Sequence, residues 1–170
     1  GVTYSTPGTK TVTLVVTNAV SGCSATATAT LNISQAPVVS FTSNAPQCSN
    51  VPINFTNTGS TGGSWSYSWD FGFGASPAGS AAENPGGIQY SFSGTKTVSL
   101  TISGGGCTQT STQQIVISST PMASFITNAP QCTGQAVNFS NTGTTTGVTW
   151  TWNFGAGATP PSSTDQNPTG

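Results

Sequence analysis

The sequence repeats itself with a period of about one small domain. Ala45-Pro46-Gln47-Cys48 returns 84 positions on as Ala129-Pro130-Gln131-Cys132, and Cys23 returns as Cys107 over the same interval. Trp69-Asp70-Phe71-Gly72 returns as Trp152-Asn153-Phe154-Gly155, and Gly8-Thr9-Lys10-Thr11-Val12 returns as Gly94-Thr95-Lys96-Thr97-Val98. Reading from Asn167-Pro168-Thr169-Gly170 on into Gly1-Val2-Thr3-Tyr4-Ser5 reproduces Asn84 through Ser91 with one residue inserted. A period of this size points to a quasi-linear assembly of similar units. The expectation is one period of a longer array, cut within a domain. Residues 1–36 read as the back half of a domain, 37–120 as a complete one and 121–170 as the front half of a further one. Gln35-Ala36-Pro37 and Ser118-Ser119-Thr120-Pro121 are the linkers between them.

Charge narrows the function classes. Charged residues are 3% of the chain, with a net charge of −1, where a soluble domain usually has about 25%. Nucleic-acid binding has no basic patch to rest on. The apolar runs, such as Leu14-Val15-Val16, are far short of the roughly 20 residues that span a bilayer. Disorder is excluded by 9% aromatics and by the many β-branched residues. Roughly a third of the residues are Ser or Thr, which solvate the outer faces of strands in place of charge. With so few charges, little repulsion keeps copies apart and few lysines guard the sheet edges, so lateral association is tolerated.

Alternation of apolar and hydroxyl residues predicts half-buried strands. Val98, Leu100 and Ile102 alternate with Thr97, Ser99 and Thr101; Val12, Leu14 and Val16 alternate with Thr11, Thr13 and Val15. Further strands are expected over 38–42, 53–57, 65–71, 88–91 and 111–117, separated by Gly, Pro, Asn and Ser clusters. The fold class is all-β, a sandwich of immunoglobulin type.

The residues Trp69-Asp70-Phe71-Gly72-Phe73-Gly74, Asn84-Pro85, Tyr90 and Gly94 through Ile102 resemble the PKD domain, whose pattern runs W-D-F-G-D-G, N-P, H-x-Y, G-x-Y-x-V-x-L-x-V. With the paired cysteines and the Ser/Thr-rich sequence, the chain is similar to the tandem PKD arrays of large surface adhesins and extracellular filaments of Bacteroidetes. The resemblance implies immunoglobulin-like β-sandwiches arranged end to end, and export to the cell surface by the type IX route of that group. The second acid of the family motif is replaced by Phe73 and Ala156, the first by Asn153 in the second copy, and a strand tyrosine by Lys10 and Lys96.

Chemistry finds little to work with. The chain has no His, and its acids are Asp70, Glu83 and Asp165, with no partner carboxylate for acid–base work. No enzyme, cofactor or metal site is expected, since calcium wants several oxygen ligands. Asp70 reads as a turn cap. The ladder Trp65, Tyr67, Trp69, Phe71 reads as core, with Trp69, Trp152, Phe71 and Phe154 as anchors. Trp65 and Phe73 are the aromatics expected to be exposed, on a glycan or against a neighbouring domain.

Cys23, Cys48, Cys107 and Cys132 are disulfide candidates. In an immunoglobulin-like order Cys48 and Cys107 lie at opposite ends of the sandwich, farther apart than the roughly 7 Å that a disulfide spans. Staples between successive domains are therefore favoured, with an early-crossing first strand leaving the intradomain bond as the alternative. Lys10 and Lys96 share parity with the inward residues, which raises an isopeptide bond assisted by Glu83 against the ordinary reading of a lysine stem lying along the core edge.

The leading function is a structural stalk or shaft repeat, extracellular, whose partners are neighbouring copies of the same repeat. The alternatives are a glycan-binding or adhesive module, and a fibre subunit that polymerises non-covalently, with half-domains completed across chains.

Overall fold

A computed structural model describes residues 1–169. Their regular structure is all strand, in two compact units, Gly1–Ser119 and Thr120–Gly170.

The first unit begins with an antiparallel hairpin of β1 (Gly8–Thr17) and β2 (Ser24–Ile33). A sandwich follows, built from β3 (Phe41–Ser43), β4 (Gln47–Cys48), β5 (Phe55–Asn57), β6 (Ser66–Asp70), β7 (Ala75–Ser76), β8 (Gly79–Ser80), β9 (Gln89–Tyr90), β10 (Gly94–Gly104) and β11 (Cys107–Ser118). One sheet has the order β4-β11-β10-β6-β8; the β3–β5 and β7–β9 pairs and a bridge between Ile53 and Ile88 make up the other layer. The architecture is the all-β immunoglobulin-like sandwich that the alternation predicts.

Period-2 patterning explains the packing. Val98, Leu100 and Ile102 point inward from β10 and are fully buried, while Thr97 faces out. Phe41, Phe55, Trp69 and Phe71 meet them as a connected cluster, with Phe41 edge-on to Trp69 at 5.0 Å and Phe55 stacked on Phe71 at 5.0 Å. Rings of this size each bury a large apolar area.

The buried Asn57 is paired, as burial requires. The Asn57 amide N–H donates to the Asn84 side-chain oxygen at 2.8 Å, and its side chain spans the turn to the Ser60 carbonyl and the Gly59 N–H. Gly59 is required there because a Cβ would collide with the Val38 carbonyl.

The second unit carries β12 (Phe125–Thr127), β13 (Phe139–Asn141), β14 (Trp152–Asn153) and β15 (Ser162–Ser163), paired β12–β13 and β14–β15. It repeats much of the first unit's local geometry. Asn141 takes the place of Asn57 and bonds to Asn167 at 2.9 Å, and a Cβ at Gly143 would collide with the Met122 carbonyl. Cis peptide bonds at Ala45-Pro46 and Ser76-Pro77 are matched at Ala129-Pro130 and Thr159-Pro160.

Two expectations are corrected. Val12, Leu14 and Val16, expected half-buried, are 42%, 61% and 59% exposed, because among the described residues β1 pairs only with β2 and no second layer covers its apolar face. Trp152 and Phe154, expected as core anchors, are only partly buried, because the described residues of their unit include no counterpart of β10 and β11.

Candidate functional site

The aromatic wall of the sandwich is built twice. Phe125, Phe139, Trp152 and Phe154 copy Phe41, Phe55, Trp69 and Phe71, with the Phe125–Trp152 centroids at 5.2 Å and the Phe139–Phe154 centroids at 4.9 Å. The Trp152 indole N–H donates to the Asp165 carbonyl at 2.8 Å, as that of Trp69 does to Ala82 at 2.9 Å. Local turns and side-chain–backbone bonds thus hold the second wall in its final form.

The second wall lines an open groove of about 580 Å³, bordered by Phe125, Phe139, Val148, Trp150, Trp152 and Phe154. Phe125 is 55% exposed, whereas Phe41 is 2% exposed under its cover. Trp150 stands where the sandwich has Tyr67, and its buried indole N–H has no acceptor among the described residues. Burying an unsatisfied donor is costly. The groove is apolar with few polar points, the composition that binding surfaces share.

The four cysteines carry free thiols. Ser118 is the cross-strand partner of Cys48, and Cys107 begins β11. Eleven residues of strand at about 3.3 Å each separate the two cysteines by roughly 36 Å, which rules out the intradomain bond. The Cys107 thiol instead lies 3.9 Å from the Ser34 carbonyl oxygen, just past β2. Cys23 sits exposed in the β1–β2 turn and Cys132 exposed before β13.

Trp65 is not exposed. It packs half-buried against the core edge, where its ring lies over Gly104 so closely that a Cβ there would come within 2.6 Å. Phe73 is exposed and stacks on exposed Phe92 at 6.3 Å with the rings nearly parallel. Sequence reading missed Phe92 because its counterpart, Thr6, is not aromatic. It missed the Asn57–Asn84 pair too, although the recurrence of Asn84-Pro85 as Asn167-Pro168 was the available signal.

Lys96 is buried, its amine 5.8 Å from the centre of the Tyr90 ring, a cation–π arrangement. Lys10 is half-buried and bonds to Thr6 and to the Pro7 carbonyl. Glu83 interacts with Tyr67, which pairs with Ile102, six residues along β10 from Lys96. That is about 20 Å of strand, so Glu83 is not placed to assist an isopeptide bond. Asp70 accepts from the Gly72 N–H at 2.8 Å, and Asn153 accepts from Gly155 at 2.9 Å. The acid is thus a turn cap that an amide replaces.

Among the described residues no cluster of His, Cys, Asp and Glu is built to hold a metal, and no helix is long and apolar enough to cross a membrane. A family model described as the PKD domain matches residues 34–117, which span the sandwich strand for strand. Over these residues the chain is similar to a PKD domain, which supports an immunoglobulin-like module here. PKD domains are non-catalytic immunoglobulin-like modules, adhesive or structural, typical of extracellular and surface proteins. No curated protein matches the chain.

Proposed function

We propose that the chain is a stalk repeat of an extracellular filament or giant cell-surface adhesin, contributing reach and stiffness. The observation that supports this best is a junction within Gly1–Ser119. The Gly104–Cys107 turn at the tip of β10–β11 abuts Ser34, and a Cβ on Gly105 would stand 3.1 Å from the Ser34 side chain. Since β1–β2 has the sequence and pairing of β10–β11, this is the tip of one domain against the strand end of the domain before it. Repeated along an array, that contact sets domains end to end, each bead touching its neighbours as in other linear repeats.

The same junction orders the cysteines. Ser34 corresponds to Ser118, the partner of Cys48, and Cys132 corresponds to Cys48. Cys132 of a preceding copy thus stands beside Ser34 and Cys107, and Cys23 of a following copy beside Cys48. Two thiols close each staple by passing two electrons and two protons to a disulfide oxidant, which leaves as two thiols. Export to an oxidising exterior, as the resemblance implies, suits that chemistry.

Small-angle scattering of two copies joined in tandem tests the stalk. The expected longest dimension is about twice that of one copy at unchanged cross-section; a compact particle would contradict the proposal.

A second reading, an adhesive or glycan-binding module, is favoured by one feature. Phe73 and Phe92, 84% and 60% exposed, form a flat apolar platform of the kind on which sugar rings stack. Ala156 and Thr6 stand at the corresponding positions of the other copy, so the platform is not repeated.

A further inference from the structure

We infer that the groove of the Thr120–Gly170 unit is a socket for the β1–β2 hairpin of a second copy of these residues, which completes it as an immunoglobulin-like sandwich. The inference rests on the reading of copies in series and adds the pairing, the register and the ability of separate chains to assemble.

The PKD domain shows what covers such a wall. Phe41, Phe55, Trp69 and Phe71 are roofed by Val98, Leu100 and Ile102 of β10 and by Ile115 and Ile117 of β11. The second wall has the same ring geometry and, among the described residues, no such roof. In β1 and β2 the corresponding positions are Val12, Leu14, Val16, Leu31 and Ile33, apolar at every one. Wall and roof are therefore present in one sequence, each with its apolar face uncovered, and their joined form is seen between them in the chain.

The PKD domain also fixes the register. Leu100 pairs with Trp69 and Ile102 with Tyr67, which sets Leu14 opposite Trp152 and Val16 opposite Trp150. Ile117 pairs with Gln47 in parallel, which sets Ile33 opposite Gln131. Ile53 and Ile88 exchange backbone bonds of 2.7 and 3.0 Å, which assigns Val2, 83% exposed, to Val137. The Tyr90 hydroxyl donates to the Phe71 carbonyl at 2.7 Å, which assigns the Tyr4 hydroxyl to Phe154. Because hairpin and socket are different surfaces, the contact is heterologous and propagates into a filament unless a ring closes.

Sedimentation velocity of the full chain over a wide dilution series, with thiols kept reduced, tests this. The expected result is a concentration-dependent series of oligomers. Leu14→Asp places a charge against the wall and is expected to weaken self-association about a hundredfold or more; it lies on an exposed face, so the PKD domain still unfolds cooperatively. Trp152→Asp removes the socket. Mixing the two variants supplies one intact socket and one intact hairpin, and is expected to yield a two-chain species that grows no further. This holds even if the Trp152→Asp socket is unfolded, since that copy contributes only its hairpin. A wild-type chain that stays monomeric, oligomers that persist unchanged in Leu14→Asp, or a mixture with no two-chain species would each overturn the inference. None of these bears on the shape of covalently joined copies, so the stalk reading keeps its own test.

Discussion

Leu100 and Trp69 are direct cross-strand partners in the five-stranded sheet, and both are sealed from solvent. Leu14 occupies the corresponding place in β1 with its side chain 61% exposed. The two leucines therefore separate burial from sequence context. Leu100→Ala is expected to cost the PKD domain about 3 kcal/mol through lost transfer energy and a cavity. Leu14→Ala, measured by urea unfolding of dilute chain, is expected to change it by less than about 0.5 kcal/mol.

Alkali is expected to unfold the PKD domain earlier than its fold class alone suggests. Burial, with the Asp70 charge adding to it, pushes the Tyr90 phenol up to about 12 from 10. A phenol harder to ionise when folded stabilises the fold fully below the unfolded value of 10, and that contribution is lost as the pH rises towards 12. Tyr90→Phe is expected to flatten this part of the stability curve between pH 10 and 12, at the cost of its bond to Phe71. Chemical unfolding at stepped pH provides the check.

Asp70→Asn is expected to leave stability within about 0.5 kcal/mol, because Asn153 already makes the same bond to Gly155. Asp70→Ala, which leaves the Gly72 N–H without its acceptor, is expected to cost about 1 kcal/mol. A metal or catalytic role for the acid would instead make both substitutions equally damaging to function.

Gly59→Ala is expected to cost about 1–3 kcal/mol, since its Cβ meets the Val38 carbonyl. Gly63→Ala, at a position with open space around it, is expected to be neutral. Thermal unfolding of the two variants separates close approach from ordinary loop glycine.

The long strands were legible because Val98, Leu100 and Ile102 alternate cleanly with hydroxyl residues. The buried Trp69 and Phe71 followed from their place on the central strand. Hydropathy gave the same reading for Val12, Leu14 and Val16, because a period-2 pattern states which face a strand buries and not whether its cover is present. Trp65 was misplaced for a different reason: its burial depends on Gly104, a residue with no side chain, across the sheet. Asn57 was illegible as a core residue because its burial rests on bonds to Asn84 and Ser60, which leave no trace in apolar periodicity. Phe73 and Phe92 are nineteen positions apart and meet only through the fold.

Peptide mapping of native material under non-reducing conditions, identifying the partner of each cysteine, tests the end-to-end junction most directly. The expected links join Cys107 to Cys132 and Cys48 to Cys23, each pair drawn from neighbouring copies, with the tip of one domain bonded beside the strand end of the next. A Cys48–Cys107 bond within one PKD domain, or four free thiols in the native material, would contradict the account.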